Sequence, residues 1–185
     1  IVPIRQVPDV ALNIRVNDGA VVADGVSFVI SSWDETALEA ALQMTEELGG
    51  EVTLLGIGPA RISAALRKGL AMGAHKAIRI QFDSAGTDSF ANAKILSKVL
   101  EERTFDLILT GKQSQDTDAG LTGSMLAEFM DMPQVTNIIR FGDLTADSMT
   151  VYRKGDYGTE VIGLKLPALV TVNDSLNEPR LASMR

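Results

Sequence analysis

The residues best placed to do chemistry are the polar loop and the helix start within Phe105–Met125. The segment reads FDLILTGKQSQDTDAGLTGSM, an apolar run followed by a glycine-bearing polar loop and then a helical pattern. A helix that begins just past the carboxyl end of a buried strand directs its unpaired N–H groups into the crevice there. Such a terminus binds phosphate or another anion without a lysine. The pattern therefore predicts an anion site in this loop, and an ordinary strand-to-helix connection is the alternative.

The residue types in the loop suggest how a ligand would be held. Gly120 and Gly123 allow a ligand close to the backbone, and Thr122 offers a hydroxyl. Asp116 and Asp118 do not suit phosphate, because like charges repel. We expect them instead to cap loop N–H groups, or to accept hydrogen bonds from a ribose or an adenine amine. The spacings GxGxxG and GxxxxGK[ST] do not occur, so neither a standard dinucleotide fingerprint nor a P-loop is predicted.

Composition argues against several classes of function. The chain has 185 residues and a net charge of −7, with a pI of about 4.7, which is unfavourable for binding nucleic acid or an anionic membrane. It has no cysteine and a single histidine, His75. Disulfides, thiol catalysis and multi-histidine metal sites are therefore not expected. No apolar run approaches about 18 residues, so we expect no insertion into a membrane.

Apolar runs alternate with amphipathic patterns over the first 130 residues. Strands are predicted at 1–7, 52–57, 76–82 and 105–110, and helices at 36–48, 60–72, 89–103 and 121–130. Turn signals at 17–19 and 24–25 predict a hairpin before the first helix, and Ser32 and Glu35 have the spacing of a capping box. The alternation predicts an α/β fold, a doubly wound and mainly parallel sheet with helices on both faces.

The alternation ends after Pro133. Four more strands are predicted without intervening helices, at 135–141, 148–153, 160–164 and 168–172. We expect them to form an antiparallel C-terminal addition beside or at the edge of the main sheet. No linker or internal repeat divides the chain, so residues 1–185 are interpreted as one domain.

Three further features have both structural and functional interpretations. The Gly56–Pro59 turn could lie against a ring or ribose, but a tight strand-to-helix turn needs the same residues. Arg61 is interpreted as part of a solvated helix face, and Trp33 as core or interface. The polar tail 171–185 carries an apolar Leu176, which is either incidental or the anchor of a partner interface.

Four motifs, taken together and in order, resemble the β subunit of electron transfer flavoproteins over nearly the whole chain. They are IRQVPDVALNIRV at 4–16, GLAMGA at 69–74, GKQSQDTDAGLTG at 111–123 and LKLPALVTVNDSLNEPR at 164–180. The resemblance implies an adenine-nucleotide α-hydrolase-like fold. It also implies an electron-carrier subunit, without a catalytic site of its own, that pairs with an α subunit holding most of the redox FAD.

The resemblance further implies a buried AMP in this subunit, or a second FAD in its place as in electron-bifurcating relatives. The AMP contacts carry over to Pro3, Ile57, Asp116, Asp118, Ala119, Gly120, Leu121, Thr122 and Gly123. The family's loop has Asn-Gln-Thr before its last glycine, whereas this chain has Gly120-Leu121-Thr122. Phosphate would therefore be held mainly by backbone N–H groups.

The family's recognition loop carries over to the tail, at Asp174, Ser175, Leu176, Asn177, Glu178, Pro179 and Arg180. Leu176 is implied to enter a pocket on an acyl-CoA or related dehydrogenase, with electrons passing on to a quinone reductase. Val10 and Leu12 are implied to face the α-subunit flavin, and 176–185 to begin an arm that the chain leaves incomplete.

The implied location is the cytoplasm in a bacterium or the mitochondrial matrix in a eukaryote. An alternative from a different class is a stand-alone sensor of ATP or AMP, of the universal-stress type.

Overall fold

A computed structural model describes residues 1–9, 11, 15–22, 25–82 and 87–183. Within these ranges the chain forms, in order, β1 (Val2–Ile4), β2 (Gln6–Pro8), β3 (Val16–Asn17), β4 (Ala20–Val21), β5 (Phe28–Ile30), α1 (Ser32–Leu48), β6 (Thr53–Gly58), α2 (Ile62–Met72), β7 (Lys76–Gln81), α3 (Ser89–Leu100), β8 (Leu107–Gly111), α4 (Thr122–Phe129), β9 (Gln134–Leu144), β10 (Ser148–Gly155), β11 (Gly158–Lys165) and β12 (Ala168–Val172).

The main strands form two groups that are joined at β1 and β8. β1, β6 and β7 are parallel, and β8, β12 and β9 are parallel. The N–H of Ile1 donates to the Leu107 carbonyl oxygen at 2.8 Å, and the N–H of Leu109 donates to the Ile1 carbonyl oxygen at 2.9 Å. This is the hydrogen-bond pattern of a parallel pair. The combined strand order is β7-β6-β1-β8-β12-β9-β10-β11, and its direction of progression reverses between β1 and β8.

The helices cover both faces of this sheet, as predicted. Adjacent residues of a strand point to opposite faces, and the core divides accordingly. Leu54 lies in the cluster formed with α1 and α2, whereas Leu55 lies in the cluster formed with α3 and α4. In β8, Leu109 lies in the first of these clusters and Ile108 in the second. The α/β, doubly wound prediction is therefore confirmed. Among the described residues, no helix is both long enough and apolar enough to cross a membrane.

The C-terminal strands follow the predicted antiparallel addition only in part. β9, β10 and β11 form an antiparallel meander at one edge of the sheet. β12, in contrast, lies between β8 and β9 and is parallel to both. All five of its residues are buried. The sequence ALVTV has apolar groups on both faces, so an interior position buries more apolar surface than an edge position would.

Two local predictions near the start of the chain are corrected. The predicted strand 1–7 is broken at Arg5, because β1 belongs to the main sheet whereas β2 pairs antiparallel with β5. The first helix begins at Ser32, with Ser31 as its N-cap and no side-chain capping bond. The capping box predicted from Ser32 and Glu35 therefore does not form, because Ser32 is already inside the helix.

The turn at 17–19 is confirmed. β3 and β4 pair across it, and Asp18 and Gly19 have positive φ values of 49° and 77°. Positive φ at both central residues is the requirement of the tightest hairpin turns. The second turn signal, at 24–25, includes Asp24, which lies outside the described residues.

Gly69, in the GLAMGA motif, accounts for the close approach of α2 to the sheet. A Cβ atom added at Gly69 would lie 2.4 Å from Leu54 Cδ1 and 3.4 Å from Leu38 Cδ2. Both leucines are fully buried, so there is little room for them to move. The glycine therefore fixes the distance between α2 and β6.

Candidate functional site

A cavity of about 470 Å³ opens at the carboxyl ends of β1, β6 and β8. It lies where the strand order reverses, which is where open parallel sheets bind ligands. Its volume is typical of small-molecule sites. Strand ends, the β8–α4 loop and residues of all four helices contribute to the wall.

The fold brings most of the predicted contact residues together in this wall. Those that line the cavity are Pro3, Ile57, Asp116, Ala119, Gly120, Thr122 and Gly123. Asp118 lies outside the wall and accepts a hydrogen bond from Gln113 Nε2 at 3.0 Å. Leu121 is also outside it, with 58% of its surface exposed. Most of the predicted residues thus converge on one site, although Asp118 and Leu121 do not line it.

The start of α4 has the geometry predicted for anion binding. Its first intrahelical hydrogen bond runs from the N–H of Met125 to the carbonyl oxygen of Leu121, at 2.9 Å. The N–H groups of 122–124 therefore precede the helical hydrogen-bond ladder. The N-cap residue, Leu121, makes no side-chain capping bond. The helix start is open to an anionic ligand.

The acidic loop residues hold the loop in place. Asp116 pairs with Arg5, with 2.9 Å between its Oδ2 and Arg5 Nη2. It also accepts a hydrogen bond from the Ser114 hydroxyl. The N–H of Ser32 donates to Gln115 Oε1 at 3.2 Å. These contacts attach the loop to Arg5, between β1 and β2, and to the start of α1.

The wall also contains cations whose position there was not predicted from the sequence. Arg61 was predicted to lie on a solvated face, and it is exposed, but it also lines the cavity. Its guanidinium lies 4.7 Å from the centre of the Phe28 ring, in the cavity wall. Arg5 and Lys112 line the cavity as well. The sequence signal was available, since Arg61 follows the carboxyl end of a predicted strand.

Asp34 links the two halves of the sheet at the cavity floor. Its Oδ2 accepts the N–H of Arg5 at 2.8 Å, and its Oδ1 accepts the N–H of Gly111 at 3.3 Å. Burial raises the pKa of Asp34 to about 7, against the opposing effect of these two backbone hydrogen bonds. A Cβ atom at Gly111 would lie 2.6 Å from Trp33 Cβ, so α1 packs directly on the end of β8. Trp33 itself is half-buried.

Two polar atoms in the cavity wall have no hydrogen-bond partner among the described residues. They are Thr110 Oγ1 and Gln6 Oε1, and both are buried. Buried polar atoms are usually paired, because an unpaired one retains its desolvation cost. A bound ligand with complementary polar atoms would pair them. The cavity therefore fits a molecule that carries both hydrogen-bond donors and acceptors.

The tail packs across α1 and α2. Leu176 is half-buried against the core, and the Asn177 side chain donates to the Thr36 carbonyl oxygen at 3.1 Å. The N–H of Ser183 donates to the Ala71 carbonyl oxygen at 2.9 Å. Within the predicted recognition loop, the exposed residues are Asp174, Ser175 and Glu178, while Pro179 is half-buried. These contacts hold the predicted recognition loop against α1 and the core.

Val10 and Leu12, which the resemblance implies to face the α-subunit flavin, lie outside the described residues.

Arg180 attaches the tail to α1 through two glutamates. Its Nε lies 2.8 Å from Glu39 Oε2, and its Nη2 lies 3.0 Å from both Glu39 Oε1 and Glu46 Oε2. Glu39 is only 4% exposed. Burial acts to raise the pKa of Glu39, but hydrogen bonds from Arg180 and Gln43 outweigh it and hold that pKa below its usual range. The fold therefore keeps Glu39 ionised.

Comparison with known proteins identifies the family. Residues 18–185 match the family model of the electron transfer flavoprotein domain. The whole chain aligns with proteins named electron transfer flavoprotein subunit beta: 37% identity over 72% of the protein from Thermoanaerobacterium thermosaccharolyticum, 38% over 74% of the Homo sapiens protein, and 39% over 74% of the Bradyrhizobium diazoefficiens protein. This chain belongs to the electron transfer flavoprotein β-subunit family. The resemblance drawn from the four motifs is confirmed, and the family assignment favours the carrier subunit over a universal-stress sensor.

Replacing Arg180 by methionine should lower the free energy of unfolding by about 2–3 kcal/mol, because Glu39 would remain buried without its cation. The stabilisation is present above the ordinary carboxyl pKa and is lost as pH falls through the lowered pKa of Glu39. Urea unfolding at neutral pH measures the change. The control is Lys98→Met, which removes an exposed pair with Glu101 and should cost less than about 0.5 kcal/mol. Equal losses of unfolding free energy in the two variants would contradict a stabilising role for the Arg180–Glu39 pair.

Titration of Asp34 should appear in the pH dependence of stability. A carboxyl whose pKa is raised by folding stabilises the protein below its unfolded pKa, and that contribution is lost as pH rises through the folded pKa, here about 7. Unfolding free energy should therefore fall between about pH 4 and 7, by at most about 1.4 kcal/mol per pH unit. Thermal or urea unfolding measures this slope, and Asp34→Asn should flatten it. An unchanged slope in the variant would assign the effect to another group.

Proposed function

We propose that this chain is the β subunit of a heterodimeric electron transfer flavoprotein, and that it binds AMP in the cavity. Its partner, an α subunit, carries the redox-active FAD. The observation that supports this most is the cavity at the strand-order reversal, with an uncapped helix start in its wall, in a chain of this family.

The residues of the wall suggest how AMP is oriented. The N–H groups at the start of α4 suit its phosphate, and the cations Arg5, Arg61 and Lys112 offset the added negative charge. Asp34 and Asp116 suit the ribose hydroxyls or the adenine amine, since carboxylates accept hydrogen bonds from such groups. AMP has no redox role here and stabilises the folded subunit by binding only to it.

A second FAD in the same cavity is the alternative ligand. It is favoured by the extent of the wall, which continues from α4 to Phe28, where Arg61 stacks on the ring. An isoalloxazine ring packs favourably against aromatic and apolar side chains. The two ligands share an adenylate half, so the α4 contacts serve either one.

The nucleotide can be identified directly. We expect acid release from the purified heterodimer, followed by mass spectrometry, to yield equimolar AMP and FAD. Because the redox FAD belongs to the α subunit, the separated chain should keep AMP and lack flavin absorbance. Excess FAD without AMP would support the bifurcating alternative. ATP in a stable homodimer of this chain would favour the sensor.

The proposed electron transfer needs no acid–base or nucleophilic group from this chain, because the flavin of the α subunit accepts and donates the electrons. The role of this chain is to position that flavin subunit and to dock its redox partners. Electrons enter from an acyl-CoA or related dehydrogenase and leave to a quinone reductase. We place this exchange in the cytoplasm of a bacterium or the mitochondrial matrix of a eukaryote.

The docking role is assigned to Leu176 and the exposed residues around it, Asp174, Ser175 and Glu178. An apolar anchor with a polar rim is typical of transient interfaces. Arg180 and Asn177 hold the loop on α1, so little ordering is required on binding.

Replacing Leu176 by alanine should slow electron transfer from the dehydrogenase by about tenfold or more, since interface anchors contribute about 2 kcal/mol or more. Nucleotide content should not change. Flavin reduction followed by stopped-flow measures the rate, and a melting curve checks the folding of a side chain that also touches the core. The matched control is Leu181→Ala, because Leu181 is 92% exposed. Unimpaired transfer in the Leu176 variant would refute the docking role.

A further inference from the structure

One side chain in the cavity wall has no role in the resemblance or in the proposed AMP contacts. Thr110 is the fourth residue of β8 and only 7% exposed. Its hydroxyl oxygen is buried and has no hydrogen-bond partner among the described residues. Because the residue lines the cavity, a molecule bound there could pair with the hydroxyl.

The hydroxyl lies against the start of α4. A Cβ atom added at Gly123, the second residue of that helix, would be 2.8 Å from Thr110 Oγ1. The hydroxyl is therefore adjacent to the backbone N–H groups that lack intrahelical partners. The Thr110 hydroxyl and these N–H groups can therefore donate to the same atom or group of a ligand.

The neighbouring threonine in the sheet shows that burial alone does not leave such a hydroxyl unpaired. Thr171 lies opposite Thr110 in the β12–β8 register, and its methyl group also faces Gly123. Thr171 is 2% exposed, yet its hydroxyl accepts the N–H of Asn137 at 3.0 Å. Of these two neighbouring threonines, Thr171 has a hydrogen-bond partner for its hydroxyl, and Thr110 has none within the described ranges.

We propose that Thr110 is a phosphate-binding residue of the nucleotide site, with its hydroxyl donating to a phosphate oxygen beside the N–H groups at the start of α4. The inference rests on the proposed function and adds a side-chain contact to the backbone contacts predicted there. An anionic oxygen is the acceptor that suits this set of donors, because charge-assisted hydrogen bonds are the stronger ones. Adenosine, which lacks the phosphate, cannot use it.

The test uses the chain stripped of nucleotide and titrated calorimetrically with AMP and with adenosine. Thr110→Val keeps the shape of the side chain and removes the hydroxyl. It should weaken AMP binding by about tenfold or more and change adenosine binding by less than about twofold. Thr110→Ser, which restores the hydroxyl, should bind AMP nearly as well as the original chain.

Thr171→Val is the matched control, since it removes the buried hydroxyl of the threonine that lies opposite Thr110 in the β12–β8 register. It should lower the melting temperature, because the Asn137 N–H loses its acceptor, and leave AMP affinity within about twofold. Thr110→Val should instead raise the melting temperature of the nucleotide-free chain by about 2–4 °C, because it removes an unpaired buried polar group.

The outcomes separate this inference from the proposed function. Unchanged AMP affinity in Thr110→Val, or an equal loss for AMP and adenosine, would overturn the phosphate role while leaving the nucleotide site in place. If the original chain binds no AMP, adenosine or FAD, the proposed function fails. Inorganic phosphate is then the probe: binding that Thr110→Val abolishes supports the phosphate role, and no binding to the original chain overturns it.

Discussion

The structure depends on the junction between β1 and β8. Two backbone hydrogen bonds join these strands at Ile1, and the Asp34 carboxyl accepts N–H groups from Arg5 and Gly111 on either side. The strand order reverses at this junction, so the connections leave it in opposite directions and a crevice opens between them. The cavity and the position of α4 both follow from this arrangement.

The same junction concentrates polar groups that the fold does not fully satisfy. Asp34 is held where burial opposes its ionisation, and Thr110 and Gln6 each have a buried oxygen without a partner in the part of the chain that the structure describes. Such groups are unfavourable in the nucleotide-free chain, because each retains a desolvation cost. Natural proteins tolerate violations of this kind mainly at functional sites. A nucleotide that pairs these atoms would stabilise the chain as it binds.

The tail combines residues that fix it to the fold and residues that remain exposed within one short segment. Arg180 and Asn177 face inward and fix the segment to α1, whereas Asp174, Ser175 and Glu178 remain exposed. Leu176 lies between these groups and is half-buried against the core. A residue implied to dock a partner therefore also contributes to packing, and the rigid support reduces the entropy lost on docking.

The sequence by itself determined the helices, most of the strands, the glycine-bearing loop and the family, because periodicity and motif order are local properties of the chain. Only the tertiary structure placed β12 inside the sheet and brought Asp34, Arg61 and Thr110 into one cavity wall. Each of these looked ordinary in sequence: a helix-start acid, a helix-face arginine and a strand threonine. Their roles come from the parallel register, which places the ends of distant strands side by side. The local sequence does not determine which strand ends become neighbours.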